Sequence, residues 1–414
     1  MSGFDVVIGN PPFLNQLEAA TTNERRIAAV ISARSDGMMG SYTDTAATFL
    51  YLGASLLRDG GRMTLVQPQS ILVTRDAAPV RRAVLESNSL TALWVSNEHV
   101  FAGASVFTCA PTLQRDGPRR VRVLRSCRGS FTALPPVDVD CDELIGAETW
   151  GPLAAAALGI PEINYRSSGV LSQIADATAD FRDQYYGLDG FLVDDADLPA
   201  DADRSQYPTI VTTGLVDLAQ CHWGRTPTRI LKRRWNAPRV DRRRMVLEGE
   251  LGPWIGQRLV PKVILATQTK VIEVFVDERG EHIPSLPLIT IVPHDSDLIW
   301  HVAACLASPV ICAHSLRHFA GAALSFEAIK VSAKQVLALP TPEEGPAWDA
   351  AAAAIRAAHT ASAREEQQRQ LLEFAMLSMR AFQVPEDQVR IVFDWWSTRL
   401  LGPPSEIGVD DDDA

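Results

Sequence analysis

The residues best suited to chemistry lie near the start of the chain, where Phe4-Asp5-Val6-Val7-Ile8 runs into Gly9-Asn10-Pro11-Pro12-Phe13. The Asn10 carboxamide offers an acceptor and two donors, the Pro11 carbonyl has no competing N–H beside it, and Phe13 supplies a flat apolar ring. Together they suit a planar ring bearing an amine. The plainer reading of the same ten residues is a strand that ends in a proline turn.

A second constellation runs from Arg225 to Arg244. It holds Arg225, Arg229, Lys232, Arg233, Arg234, Arg239, Arg242, Arg243 and Arg244 against one acid, Asp241, in a chain whose formal net charge is −11. Arginine forks to phosphate or to a guanine edge, and the nearby Trp223, Trp235 and Trp254 can cover a sugar or base, so this basic island predicts contact with DNA. Read without that context, the run is a solvated face. A third cluster, His301, Cys305, Cys312, His314 and His318, is interrupted by Pro309 and flanked by Val302, Ala303, Ala304 and Leu306. That pattern predicts a helix facing a core, and no metal site is expected.

The elements that must position these groups follow from periodicity. Val6, Val7 and Ile8 are β-branched and predict a parallel strand buried on both faces, with the proline loop beyond its carboxyl end. In open α/β sheets ligands bind there. Residues 14–39 have a helical pattern, and a second helix through Leu56 and Leu57 is expected to stop at Asp59-Gly60-Gly61. A strand at Arg62–Val66, a helix near Pro79–Ser87 and strands at Leu90–Val95 and Ser105–Leu113 complete a first domain over 1–115. Residues 116–160, with Gly117-Pro118 and Pro135-Pro136, read as a linker.

From 161 to 340 short β-like segments recur between Pro and Gly residues, which predicts a β-rich second domain. Residues 341–414 read as a helical tail through Ala347–Phe382 and Gln388–Leu401, with a disordered acidic end at Asp410–Asp413. At 414 residues, 46% hydrophobic and 21% charged, the chain excludes fibrous and disorder-dominated classes. Six cysteines without paired CxxC spacing suit a reducing compartment, and no leader or spanning segment is legible, so the expected location is cytoplasmic and no membrane partner is expected.

With its strand in front, Asn10-Pro11-Pro12-Phe13 resembles the catalytic loop of the adenine-N6 DNA methyltransferases of restriction-modification systems. "LLRDGGRMTLVQPQSIL" and "EHVFAGASVFTCAPTL" are similar to the later strand and the final hairpin of the same family. The resemblance covers residues 4 to about 115. It implies the carboxyl-terminal half of a doubly wound class I methyltransferase sheet, then a β-rich DNA target-recognition domain and a helical tail. It also implies base flipping in double-stranded DNA, S-adenosylmethionine as cofactor, Asn10, Pro11, Pro12 and Phe13 as catalytic residues, and Phe101 packing the extruded base.

In that family a glycine-rich cofactor loop precedes the catalytic loop. The nearest alternative downstream, His318-Phe319-Ala320-Gly321-Ala322-Ala323-Leu324, has one glycine and no suitable acidic partner. The cofactor site is therefore expected to be incomplete in this chain, with a cofactor-binding polypeptide encoded upstream as a partner. The alternative expectation is a non-catalytic DNA-binding specificity subunit.

Overall fold

Phe4–Gly9 forms strand β1, parallel to β2 (Leu57–Leu65), and the chain leaves its carboxyl end in the Asn10–Phe13 loop. The computed structural model describes residues 3–13, 25–35, 39, 44–101, 106–180, 182–248, 251–319 and 328–402. The chain divides into two compact units, Met1–Glu162 with Leu316–Ala328, and Ile163–Ser315 with Ile329–Ala414.

The first unit is built on a seven-stranded mixed sheet ordered β1-β2-β5-β4-β6-β7, where β3 is Gln67–Pro68, β4 Asn88–Val95, β5 Thr108–Arg115, β6 Arg120–Cys127 and β7 Thr132–Asp140. β5 lies antiparallel to both β2 and β4, so β2 and β4 run parallel to β1 and to each other. This α/β arrangement, with one reversed strand inserted between parallel ones, is the expected half of a methyltransferase sheet. The described helices of this unit include α1 (Arg25–Arg34), α2 (Thr45–Ser55) and α3 (Ala78–Ser87). Leu50, Ala54, Val80, Val84 and Leu85 pack with Met63, Leu65, Leu90, Leu93 and Leu113 in one core on one side of the sheet. Asp44 caps α2 by accepting from the Ala46 amide, and burial raises its carboxyl above the ordinary range.

Three expectations change here. The strand β1 is present, but Phe4, Val6 and Ile8 are 60, 67 and 81% exposed, because among the described residues only the Val7 side of the strand is covered and only β2 pairs with it. The second helix ends at Ser55, not at Asp59-Gly60-Gly61, which instead forms a bulge within β2 between the pairs Phe4↔Leu57 and Val6↔Arg62. Gly60 has φ 75°, and a Cβ on Gly61 would sit 2.7 Å from the Phe4 carbonyl oxygen, so the bulge needs both glycines. Residues 116–160 are not a linker: β6 and β7 extend the sheet, with Val121, Val123 and Cys127 buried in the same core. The alternation Arg120-Val121-Arg122-Val123 carries β6, Gly117-Pro118 lies just before it, and Pro135-Pro136 falls at a bulge inside β7.

The second unit is made of short strands and helices. One four-stranded sheet contains Lys262–Ala266, Glu273–Asp277, Ile289–Pro293 and Ala175–Ala179, and another contains Leu192–Asp194, Thr209–Val211, Pro238–Val240 and His282–Pro284. Lys262 and Asp277 form an ion pair at 2.5 Å with side chains 0 and 3% exposed, and Arg258 meets Asp180 at 2.5 Å in a similarly buried setting. Burial pulls the Lys262 ammonium below its usual range against the opposing pull of Asp277, while Lys262, with the His282 ring and amide, outweighs burial to hold Asp277 low.

The expected helical tail is present as the helices Pro346–Thr360, Arg364–Ala381 and Glu386–Leu401, which cluster with this unit. Trp348 donates from Nε1 to the His301 carbonyl at 3.0 Å, and His301 pairs with Asp349. Cys305 and Cys312 are buried in the core, and burial pushes the Cys312 thiol up to about 11. Residues 403–414, with the acidic end, and most of the 318–324 segment lie outside the described residues.

Candidate functional site

β1 and β2 run side by side to their carboxyl ends, where the Val66 amide donates to the Gly9 carbonyl at 3.0 Å and fixes the departure of the next four residues. Asn10 and Pro12 are exposed and Pro11 and Phe13 half-buried. The Asn10 carboxamide has no hydrogen-bond partner among the described residues. The ring of Phe13 stands edge-on to that of Phe101, with centroids 6.3 Å apart and planes at 72°. The structure thus brings together Asn10, Pro11, Phe13 and Phe101, residues that lie ninety positions apart in sequence.

Near Phe101 in sequence, buried polar groups that sequence reasoning did not single out pair with the backbone. Gln69 is buried, and its Nε2 donates to the carbonyls of Ser96 and Thr108, tying the chain before and after the 97–107 segment to one side chain. Ser96 Oγ donates to the Glu98 carbonyl at 2.6 Å and accepts from its amide. Inside the same segment His99 stacks on Phe107 with centroids 4.3 Å apart. The available signal was Gln69 itself, an amide in an apolar run, since buried amides are mostly found where they have partners; the nearby Gln67 is also buried, but its carboxamide has none among the described residues.

Beneath this segment Arg81, 2% exposed, donates to the carbonyls of Ile71, Thr74 and Glu148. Burial lowers its guanidinium to about 10, and three carbonyls satisfy it.

Beside the loop opens an apolar cavity of about 990 Å³ on the uncovered face of the sheet. Its floor is a row in continuous register across five strands, Ile8, Thr64, Thr112, Ala92 and Leu124, and Phe101 and Phe131 stand at its sides. Period-2 alternation places these residues opposite the helix-covered core. Leu124 and Phe131 are 63 and 68% exposed. The cavity holds neutral groups almost throughout, with Arg125 at one margin, and that guanidinium is held by the carbonyls of Pro135 and Leu153.

The structure separates the nine cations of the basic island into two kinds. Arg239 is 13% exposed, pairs with Asp195 at 2.5 Å, donates to the Tyr207 carbonyl and lies over the Trp223 ring at 4.7 Å. Arg244 pairs with Glu248, donates to the Gly190 carbonyl and lies over Phe191. These two are packing residues. Arg225, Arg229, Lys232, Arg233, Arg234, Arg242 and Arg243 are exposed, and among the described residues none has a carboxylate partner. The three tryptophans do not interleave with them as the sequence suggested: Trp223, Trp235 and Trp254 are half-buried and donate from Nε1 to Pro238, Ile230 and Asp180. Their rings complete the core, because a buried indole N–H with an internal partner is more stable than one left in a groove.

Residues 1–101 match the family model described as Eco57I restriction-modification methylase. No curated protein matches the chain. Among solved structures the chain is similar to the Type IIL restriction-modification enzyme MmeI in complex with DNA, at 13% identity and a TM-score of 0.55, over 95% of this chain and 56% of that one. It also matches the type IIG restriction endonuclease BpuSI, at 10% identity and a TM-score of 0.34, over 95% of this chain and 54% of that one. For the DrdV–DNA complex the values are 12% and 0.42, over 86% and 44%. The first 101 residues thus carry the pattern of a restriction-modification methylase, set on a mixed α/β sheet. The whole chain shares its fold with part of MmeI and spans just over half the length of that enzyme.

Among the described residues no single helix is long and apolar enough to cross a membrane.

Proposed function

We propose that this chain is the base-capturing and DNA-reading part of a DNA methyltransferase of a restriction-modification or related defence system, acting in the cytoplasm on adenine N6 with S-adenosylmethionine as donor. The observation that carries the reading is the Asn10–Phe13 loop at the carboxyl end of β1, with Asn10 exposed and the Phe13 ring edge-on to Phe101. An adenine amine is paired inside the duplex, so the base must leave the stack before it can react. Asn10 Oδ1 and the Pro11 carbonyl then accept the two amine hydrogens, Phe13 lies on the ring face, and Phe101 packs against it from the side. Holding the amine in one orientation supplies most of such catalysis, and no acid or base of shifted pKa is required.

S-adenosylmethionine supplies the electrophilic methyl group. Among the described residues no strand-to-helix turn carries the glycines and acidic partner that would cradle it. We assign that cradle to a further polypeptide, supported by the edge of β1 that no strand pairs among the described residues and by the open row from Ile8 to Leu124 beside the loop. A strand can add to that edge and helices can cover that face.

The test is methyl transfer to duplex DNA by the chain with and without a polypeptide encoded upstream. The chain alone is expected to bind the cofactor weakly and to transfer nothing, and the complemented chain to methylate adenine. Ile8→Asp, at a position 81% exposed, should leave the fold intact and abolish complementation. Transfer that survives Asn10→Ala in the complemented assembly would overturn the catalytic reading. DNA binding with no transfer under any complementation would favour a non-catalytic specificity subunit.

A further inference from the structure

Thr228–Ile230 and Arg233–Trp235 form an antiparallel hairpin with the register Thr228↔Trp235, Arg229↔Arg234 and Ile230↔Arg233. Its two-residue turn, Leu231-Lys232, has φ 51 and 66°, the left-handed pair that matches the twist of the strands. Asn-Gly is the easy occupant of such a turn, and side-chain-bearing residues there cost of the order of 1 kcal/mol each. A second cost lies one step back. Arg229 and Arg234 are directly opposite on the exposed face, like charges at about 5 Å between Cβ atoms, which destabilises a hairpin.

The rear of the hairpin is fastened to the body. Ile230 is fully buried with Leu188, Ile210, Val240, Met245 and Ile255, Trp235 packs on the same core, and the Leu231 amide donates to Tyr185 Oη at 2.8 Å. Only the outer face is left for a ligand. Arg229 Nε donates to the Lys232 carbonyl at 3.3 Å, which restrains the guanidinium and leaves its two Nη groups without a partner among the described residues.

We propose that this hairpin lies face-down in the major groove of duplex DNA, with Arg229 and Arg234 on the O6 and N7 edges of neighbouring guanines, and Lys232, Arg233 and Arg225 on flanking phosphates. This rests on the reading of the second unit as a DNA target-recognition module. A groove about 12 Å wide admits a two-stranded ribbon, and an oriented guanidinium matches the guanine edge bidentately. The groove supplies the anionic surroundings that the Arg229–Arg234 pair lacks in the protein alone. An acidic protein surface could pair with both forks as well, but it would leave no sequence motif in the duplexes retained.

The experiment selects, with the full chain, from a pool of duplexes carrying a randomised core, and sequences what is retained. The wild-type chain should enrich a motif with guanines at two nearby positions. Arg229→Ala and Arg234→Ala should each lose the preference at one of them, a 5- to 100-fold relaxation of discrimination, and Arg234→Lys should not restore it. Lys232→Ala and Arg233→Ala should keep the motif, weaken retention of all sequences alike, and flatten the slope of log affinity against log salt by about one each. An unchanged motif from the Arg229→Ala/Arg234→Ala double variant overturns the hairpin assignment while the DNA reading stands. Failure of the wild-type chain to retain any duplex overturns both.

Discussion

At the carboxyl end of β1 the candidate groups are neutral: a carboxamide, a carbonyl and two phenyl rings beside an apolar cavity. On the 228–235 hairpin of the second unit they are four cations with no acid beside them. The two regions hold their residues differently as well. Around the first, the buried side chains of Gln69 and Ser96 pair with the backbone at 96–98 and at Thr108, whereas the hairpin depends on an apolar anchor, Ile230, and a strained turn. The difference matches two tasks. A neutral base must be oriented to within fractions of an ångström in a dry place, and a polyanion must be attracted from a distance and then read.

The comparison breaks most completely at Asn10. In an active assembly Asn10→Ala should lower methyl transfer by at least about a hundredfold, as loss of an oriented acceptor does, while DNA affinity stays within a few fold. Incorporation of labelled methyl groups against filter-binding affinity measures both. If affinity fell with activity, the loop would be a DNA contact and the division between the regions would fail.

A cation inside the second unit provides the next contrast. Lys262→Met leaves Asp277 buried without its partner and should cost about 3–5 kcal/mol in urea unfolding followed by tryptophan fluorescence. Lys232→Ala, on the hairpin, should cost less than about 0.5 kcal/mol in the same measurement. Equal losses would mean that the hairpin charges, too, serve the fold.

Phe13→Ala should weaken capture of an extruded base by about 1–3 kcal/mol, the scale of one base–aromatic stack, read as tighter binding of a duplex with a mismatched target than of a paired one and the loss of that difference in the variant. No such loss would leave Phe13 as packing for Phe101 alone.

The smallest expected effect concerns pH. Burial, and then the nearby Asp217, push the Glu273 carboxyl up to about 8. The folded chain therefore binds this proton more tightly than the unfolded one, and stability falls as pH rises from the ordinary carboxylate range through 8. Glu273→Gln should raise the melting temperature at pH 8.5 by the equivalent of about 1–2 kcal/mol, discounted for partial exposure, and change little at pH 5. A gain of equal size at both pH values would assign the effect to packing. Neither region of the comparison contains Glu273, so its substitution should leave base capture and duplex selection untouched.

Much of the first unit was legible because it is local. β-branched residues, a glycine and two prolines determine a strand and the loop that leaves it, whichever partners surround them, and the same holds for α3 and for the strands at 88–95 and 108–115. The charge density of 225–244 is likewise a property of composition. Tertiary structure alone decided the rest. Asp59-Gly60-Gly61 is a helix stop by propensity, yet pairing of Phe4 with Leu57 and Val6 with Arg62 turned it into a bulge. Prolines at 135 and 136 spoke for a linker, yet pairing with β6 put them in an edge strand.

Among the arginines, one-dimensional spacing cannot separate Arg239, stacked on Trp223 and paired with Asp195, from Arg234, which faces solvent opposite Arg229. Their neighbours come from distant parts of the chain. Residue type and short-range geometry determine what a side chain can do, whereas the partners brought by long-range packing determine whether it is left free to do it.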